Sequence, residues 1–138
     1  MFKETDKYKI NGHFFFEKGD ILNEVSINVP NRPGIFYIIK LAKGRVELVY
    51  IGKSGTMHQN GKYSEQLLRD RINNKQDGVS RQRFFDKKIE DEHIDALDIY
   101  WFVTEDDQNS DIPEYVKGLL LQRYYELYKK LPLWHKEY

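Results

Sequence analysis

Two short apolar segments constrain this chain more than anything else in it. Pro33-Gly34-Ile35-Phe36-Tyr37-Ile38-Ile39-Lys40 and Leu48-Val49-Tyr50-Ile51-Gly52-Lys53-Ser54 are rich in β-branched and aromatic residues, and Lys43-Gly44 between them suits a turn. They predict a hairpin with strands over 34–41 and 46–51. Pairing them brings the two glycine-bearing ends near one another, and Gly52 leaves room for close backbone approach. Such a hairpin is a place to build a site.

At 138 residues the chain is long enough for one domain with its own core. No repeat, low-complexity tract or proline- and glycine-rich linker divides it. The absence of cysteine excludes a disulfide framework and a thiolate metal site, and no long apolar run marks a signal peptide or a membrane span. A soluble, cytoplasmic protein is the expectation. Ten tyrosines and eight phenylalanines suit a sheet with aromatic faces packed by helices. Lysine plus arginine equal aspartate plus glutamate at 22 each, so any nucleic-acid site has to be a local basic patch.

The rest of the chain reads as one further strand and three helices. The segment 8–16, with Phe14-Phe15-Phe16, reads as extended, as does the alternation of Val25, Ile27 and Val29. A polar loop follows over 53–62. Ser64 is positioned to cap a helix reaching Asn73 with Leu67, Leu68 and Ile72 as its apolar stripe. Arg69 and Arg71, two positions apart, diverge by roughly 200° around that helix, so at most one faces a site beside the hairpin. A second helix is expected over 80–92, with Phe84, Phe85 and Ile89 inward, then a third sheet strand over 97–103. Pro113 opens a long final helix and Pro132 bounds it. The fold class is α/β in the α+β sense: a small three-stranded antiparallel sheet flanked by helices over 33–138, with residues 1–32 as an N-terminal extension packed on it.

That order of elements, together with particular residues, resembles the GIY-YIG endonuclease superfamily. Gly34-Ile35-Phe36 stands where the family has its GIY, and Tyr50-Ile51-Gly52 matches its YIG. Lys53 follows as in the excision-repair branch, and Leu68-Arg69-Asp70-Arg71-Ile72 is similar to the family's arginine-bearing helix, with Arg71 at the catalytic position. The stretch from Gly118-Leu119-Leu120-Leu121-Gln122 to Leu131-Pro132-Leu133-Trp134-His135 looks like its closing helix and tail, His135 standing at the tail asparagine.

The resemblance implies a nuclease cutting DNA phosphodiesters with one Mg2+ or Mn2+, in repair, restriction or mobile-element biology. In that chemistry a water is deprotonated, charge on the phosphoryl oxygens is compensated and the leaving alkoxide is stabilised. Tyr50 is the candidate base or proton relay, a role in which a phenol needs a neighbouring cation at neutral pH. Arg71 suits the scissile phosphate with its planar donor fork, while Lys53 is placed to assist Tyr50 or to hold another oxygen. Two departures stand out. Phe36 brings no hydroxyl to the GIY position, and Tyr37 beside it points to the opposite face. The metal-binding glutamate falls at or next to Gln122, whose amide brings a metal no charge; Glu126, one turn on, and Glu114, upstream, are the substitute carboxylates. His135 in the tail is expected to hydrogen-bond as the asparagine does and to titrate near neutrality.

Arg69, Arg71, Lys75, Arg81, Arg83, Lys87 and Lys88 lie in two consecutive helical segments, apart from the acidic Glu90–Glu92 and Glu105-Asp106-Asp107 clusters. This is the expected DNA-facing patch, helped by Asn73, Asn74 and Gln76. Two readings stay open. One is a metal-dependent DNA endonuclease acting through Tyr50, Lys53, Arg71 and a carboxylate near Gln122. The other is a DNA-binding protein on the same fold that has lost hydrolysis through Phe36 and Gln122, whether naturally or by a Glu-to-Gln change made to silence it. The oligomeric state, dimer included, is left open.

Overall fold

A computed structural model describes residues 1–63 and 66–138. The paired apolar segments do form a hairpin, of β2 (Gly34–Ala42) and β3 (Arg45–Lys53), with Lys43 and Gly44 at positive φ in the turn. The hairpin joins a four-stranded antiparallel sheet in the order β1-β6-β2-β3, where β1 is Asn11–Phe16 and β6 is Ala96–Val103. The expectation of three strands is therefore corrected to four. Phe14 and Phe16 of β1 pack into the core under the sheet while Phe15 is exposed, so this segment of the N-terminal 32 residues belongs to the sheet itself. A second, two-stranded ribbon pairs β4 (Lys75–Gln76) with β5 (Val79–Ser80).

The alternation of Val25, Ile27 and Val29 is not a strand. Residues Leu22–Val25 form the short helix α1, and Ile27 is exposed while Leu22 and Val29 are buried. Period-two spacing over five residues is too short to exclude a helical turn and the bends after it.

The remaining helices are α2 (Leu68–Ile72), α3 (Arg81–Asp91) and α4 (Pro113–Tyr128). Helix α2 is one turn long and begins after Leu67, later than expected; the proposed cap Ser64 and the neighbouring Glu65 lie outside the described residues. Ser80 caps α3 by accepting a hydrogen bond from the Arg83 amide at 3.3 Å. Pro113 opens α4, and Lys129, in the left-handed conformation, closes it.

The two sheet faces bury different sets. Phe36, Ile38, Val49, Leu97, Ile99 and Val103 pack with Leu68, Ile72, Phe84, Phe85 and Trp134 on one side. Ile35, Tyr37, Ile39, Leu48, Ile51 and Phe102 pack with Val116, Leu120, Leu121 and Tyr124 of α4 on the other. A bulge lets one strand serve both. Ile38 pairs with Tyr50 but Ile39 pairs with Leu48, so Val49 is the extra residue, and Val49 and Tyr50 both contact the Phe36 side.

The edge of β3 is covered by the C-terminal tail. The Trp134 amide donates to the Val49 carbonyl and the Ile51 amide donates to His135 Nε2, both at 2.9 Å. Among the described residues no helix is long and apolar enough to cross a membrane.

Candidate anion-binding pocket at the end of the hairpin

The glycine-bearing ends of the hairpin are tied together. The Gly34 amide donates to Ser54 Oγ and the Ser54 amide to the Gly34 carbonyl, each at 2.9 Å. Gly52 sits opposite Phe36 in register, and a Cβ on Gly52 would lie 2.2 Å from the Phe36 ring. The missing side chain at 52 is thus filled by the aromatic ring at 36. The Leu68 amide donates to the Arg32 carbonyl at 3.1 Å, fixing the start of α2 to the chain just before β2 and presenting Arg71 to the hairpin.

A cavity of about 110 Å³ opens there, lined by Phe36, Tyr50, Gly52, Lys53, Arg71, Asn74, Lys75, Arg81 and Lys117. Five of these are cations, and they come from β3, α2, β4, α3 and α4. The lining contains no carboxylate. Several lysines and arginines elsewhere are paired: Lys87 with Asp91 at 3.2 Å, Lys88 with Glu92 at 3.3 Å, Arg123 with Glu4 at 2.7 Å. Among the described residues none of the five pocket cations has such a partner.

Arg81 is the most buried of them, at 2 % exposure. Its guanidinium lies 5.1 Å from the centre of the Phe36 ring and 5.5 Å from that of Tyr50, and it donates to Gln76 Oε1 at 3.1 Å. Its Nε and that of Arg71 are buried and, among the described residues, have no hydrogen-bond partner. Burial lowers the Arg81 guanidinium to about 10, with the nearby Tyr50 opposing the fall and the Arg71 charge adding to it. Lys53 is lowered from its ordinary value by burial and then by Arg71; Lys117 is lowered by burial and then by Lys53. In both, Glu114 nearby acts the other way.

Tyr50 is held by its neighbours. The His135 ring stacks on it with centroids 4.5 Å apart and planes within 12°. Since the Ile51 amide donates to His135 Nε2, that nitrogen carries no proton. Burial, helped by the Lys117 charge, pushes the imidazole down to about 4. The expectation that His135 titrates near neutrality is corrected: the ring is a neutral acceptor and a platform for Tyr50.

Of the sequence-derived site residues, Tyr50, Lys53 and Arg71 meet in the cavity, joined by Lys75 and Arg81 from the basic patch. Arg69 does not line it, as the divergence around α2 requires. Arg83 is exposed on α3, and Lys87 is engaged by Asp91. Gln122 lies elsewhere too. Its amide donates to Glu126 at 3.1 Å on the exposed face of α4, and Glu126 also accepts from Arg123. The buried stripe Val116, Leu120, Leu121, Tyr124 turns that face away from the sheet.

The α4 residue that reaches the cavity is Lys117. It flanks the apolar stripe one turn before Leu121, and a lone cation beside such a stripe was the signal available for it. The lining therefore offers a divalent ion a phenol and an amide among five positive charges, which is not a magnesium donor set. Among the described residues no three histidine, aspartate or glutamate side chains gather as one either. In comparisons with known proteins, no family model, no curated protein and no solved structure matches this chain.

Proposed function

We propose that this chain is a GIY-YIG-type DNA-binding protein that grips a phosphate of the strand in the pocket beside Tyr50, without a divalent ion. The convergence of Lys53, Arg71, Lys75, Arg81 and Lys117 on one cavity with no carboxylate in its lining carries the reading. Arg71 supplies a planar fork for two phosphoryl oxygens, and Lys53 and Lys117 supply point charges. Arg81 holds the Phe36 and Tyr50 rings from below while adding its own charge to the cavity. Tyr50, braced by His135, presents a hydroxyl that can donate to a phosphate oxygen. The groups suit holding an anion. Hydrolysis needs in addition an acceptor for the proton of the attacking water, and what α4 brings to the cavity lining is the Lys117 ammonium.

A second reading, the metal-dependent endonuclease, draws on Glu114, whose charge is felt by both Lys53 and Lys117. The two are separated by measuring duplex binding in EDTA and supercoiled-plasmid nicking in Mg2+ or Mn2+, for the native chain and for Arg71→Ala, Glu114→Gln and Lys117→Glu. Binding in EDTA that Arg71→Ala weakens, with no nicking by the native chain, is the expected result. Nicking by the native chain that Glu114→Gln abolishes would transfer the assignment to the nuclease. Nicking gained by Lys117→Glu alone would identify position 117 as the place where a nuclease of this geometry needs its carboxylate.

A further inference from the structure

We infer that the phosphate this pocket takes is a dianionic monoester, the phosphorylated end of a DNA strand, rather than a diester within it. The inference rests on the DNA-binding reading above and adds what part of the strand is held.

Charge is the first argument. A backbone diester carries one negative charge, whereas a phosphate monoester carries between one and a half and two at neutral pH. Five cations with no carboxylate in the lining are far in excess of a single charge.

Arrangement is the second. Proteins that follow a strand spread their cations along a groove so that successive phosphates are met in turn. Here the cations arrive from five elements and surround one cavity. Its 110 Å³ is roughly the liquid volume of four waters, which suits one tetrahedral group of four oxygens.

The unpartnered donors are the third. Arg81 is almost fully buried, and Nε atoms of both Arg81 and Arg71 have no acceptor among the described residues. What an anion in the cavity meets is the charge of these two guanidiniums, and three terminal oxygens compensate it more fully than a diester's two. Lys53 and Lys117 are lowered first by burial and then by neighbouring cations, and the same ligand compensates the second of these.

The test is fluorescence anisotropy in EDTA with internally labelled duplexes of one sequence carrying 5′-phosphate, 3′-phosphate or hydroxyl ends, and a covalently closed minicircle of that sequence. Inorganic phosphate and a nucleoside monophosphate serve as competitors. The expected result is at least tenfold tighter binding of one phosphorylated end than of hydroxyl ends or the minicircle, with the preference reduced severalfold by Lys117→Gln. Lys75→Ala, at an exposed position, provides the same readout if a more buried variant fails to fold. Equal affinity for all four DNAs would overturn the monoester inference and leave DNA binding standing. Binding of inorganic phosphate or the mononucleotide with no DNA bound would overturn both, assigning the site to a small phosphate monoester.

Discussion

Lys117 joins two properties that conflict. An ammonium half removed from water and facing Lys53 and Arg71 is destabilising to the fold, and it is tolerated where it binds something. Its lowered value gives the sign: the folded protein holds this proton less tightly than the unfolded chain does, so its cost is full at neutral pH and is relieved as pH rises toward the ordinary lysine value of 10.5. Lys117→Met is expected to raise stability to urea at pH 7 by about 0.5–1 kcal/mol, allowing for its solvent exposure. The gain should shrink as pH approaches 10, while phosphate no longer protects the variant. A loss of stability at pH 7 would show that the ammonium has an anionic partner in the free protein. His135 runs on the acid side. With a folded value near 4 against 6.5, it contributes stability that is complete above about pH 6.5 and lost as pH falls toward 4. His135→Asn should flatten that limb in pH-dependent urea melts, by roughly 1–2 kcal/mol after discounting for exposure. At this scale the sequence exposed Tyr50, Lys53 and Arg71, because they sit within or just after recognisable strand and helix patterns. It did not expose Lys117, since a three-leucine run fits more than one helical register and only packing against the sheet selects Val116, Leu120 and Leu121 as the inward set.

The hairpin is the element on which the pocket depends, and its two ends are closed by contacts that leave no spare volume. Gly52→Ala places a methyl group against the Phe36 ring, and Phe36 is itself enclosed by Arg81 and the core. Overpacking of this kind costs about 1–3 kcal/mol, read as a lower urea midpoint with an unchanged slope. Phe36→Leu in the same chain should recover part of the loss, which a backbone-only effect at position 52 would not allow. The strands themselves were legible from composition and the turn, and so were α3, α4 and β6 within a residue or two. The bulge at Val49 was not, because the apolar run Leu48-Val49-Tyr50-Ile51 has no alternation to break. Nor was the clasp by the tail. Its reach depends on Trp134 seating against Phe84, with ring centroids 5.4 Å apart, which brings His135 onto Tyr50. Pairing of β1 with β6 was missed for a related reason: three consecutive phenylalanines do not announce which of them points inward.

Over the whole molecule, a formal charge of zero conceals an uneven distribution. The sequence-derived basic patch ran through α2 and α3 as a continuous stretch, but folding divides it. Lys87 and Lys88 are neutralised by the acids one turn ahead on their own helix, while Arg71, Lys75 and Arg81 turn to the cavity and meet Lys53 and Lys117 from distant parts of the chain. A reading of local charge runs overlooks such convergence, because two of the five contributors, Lys53 and Lys117, lie far outside the run. The distinction is measurable through salt. Each phosphate neutralised adds about 0.9 to the slope of log affinity against log salt concentration on duplex DNA. A protein that holds DNA through the pocket is expected to show a shallow slope of roughly 1–2, since a single phosphate is neutralised there. Lys75→Ala should lower that slope by about 1, whereas Lys87→Ala should leave it unchanged, because Asp91 already balances Lys87 in the free protein. If Lys87→Ala lowers the slope as much as Lys75→Ala does, the strand lies along the outer face of α3, and the pocket is not where its phosphates are held.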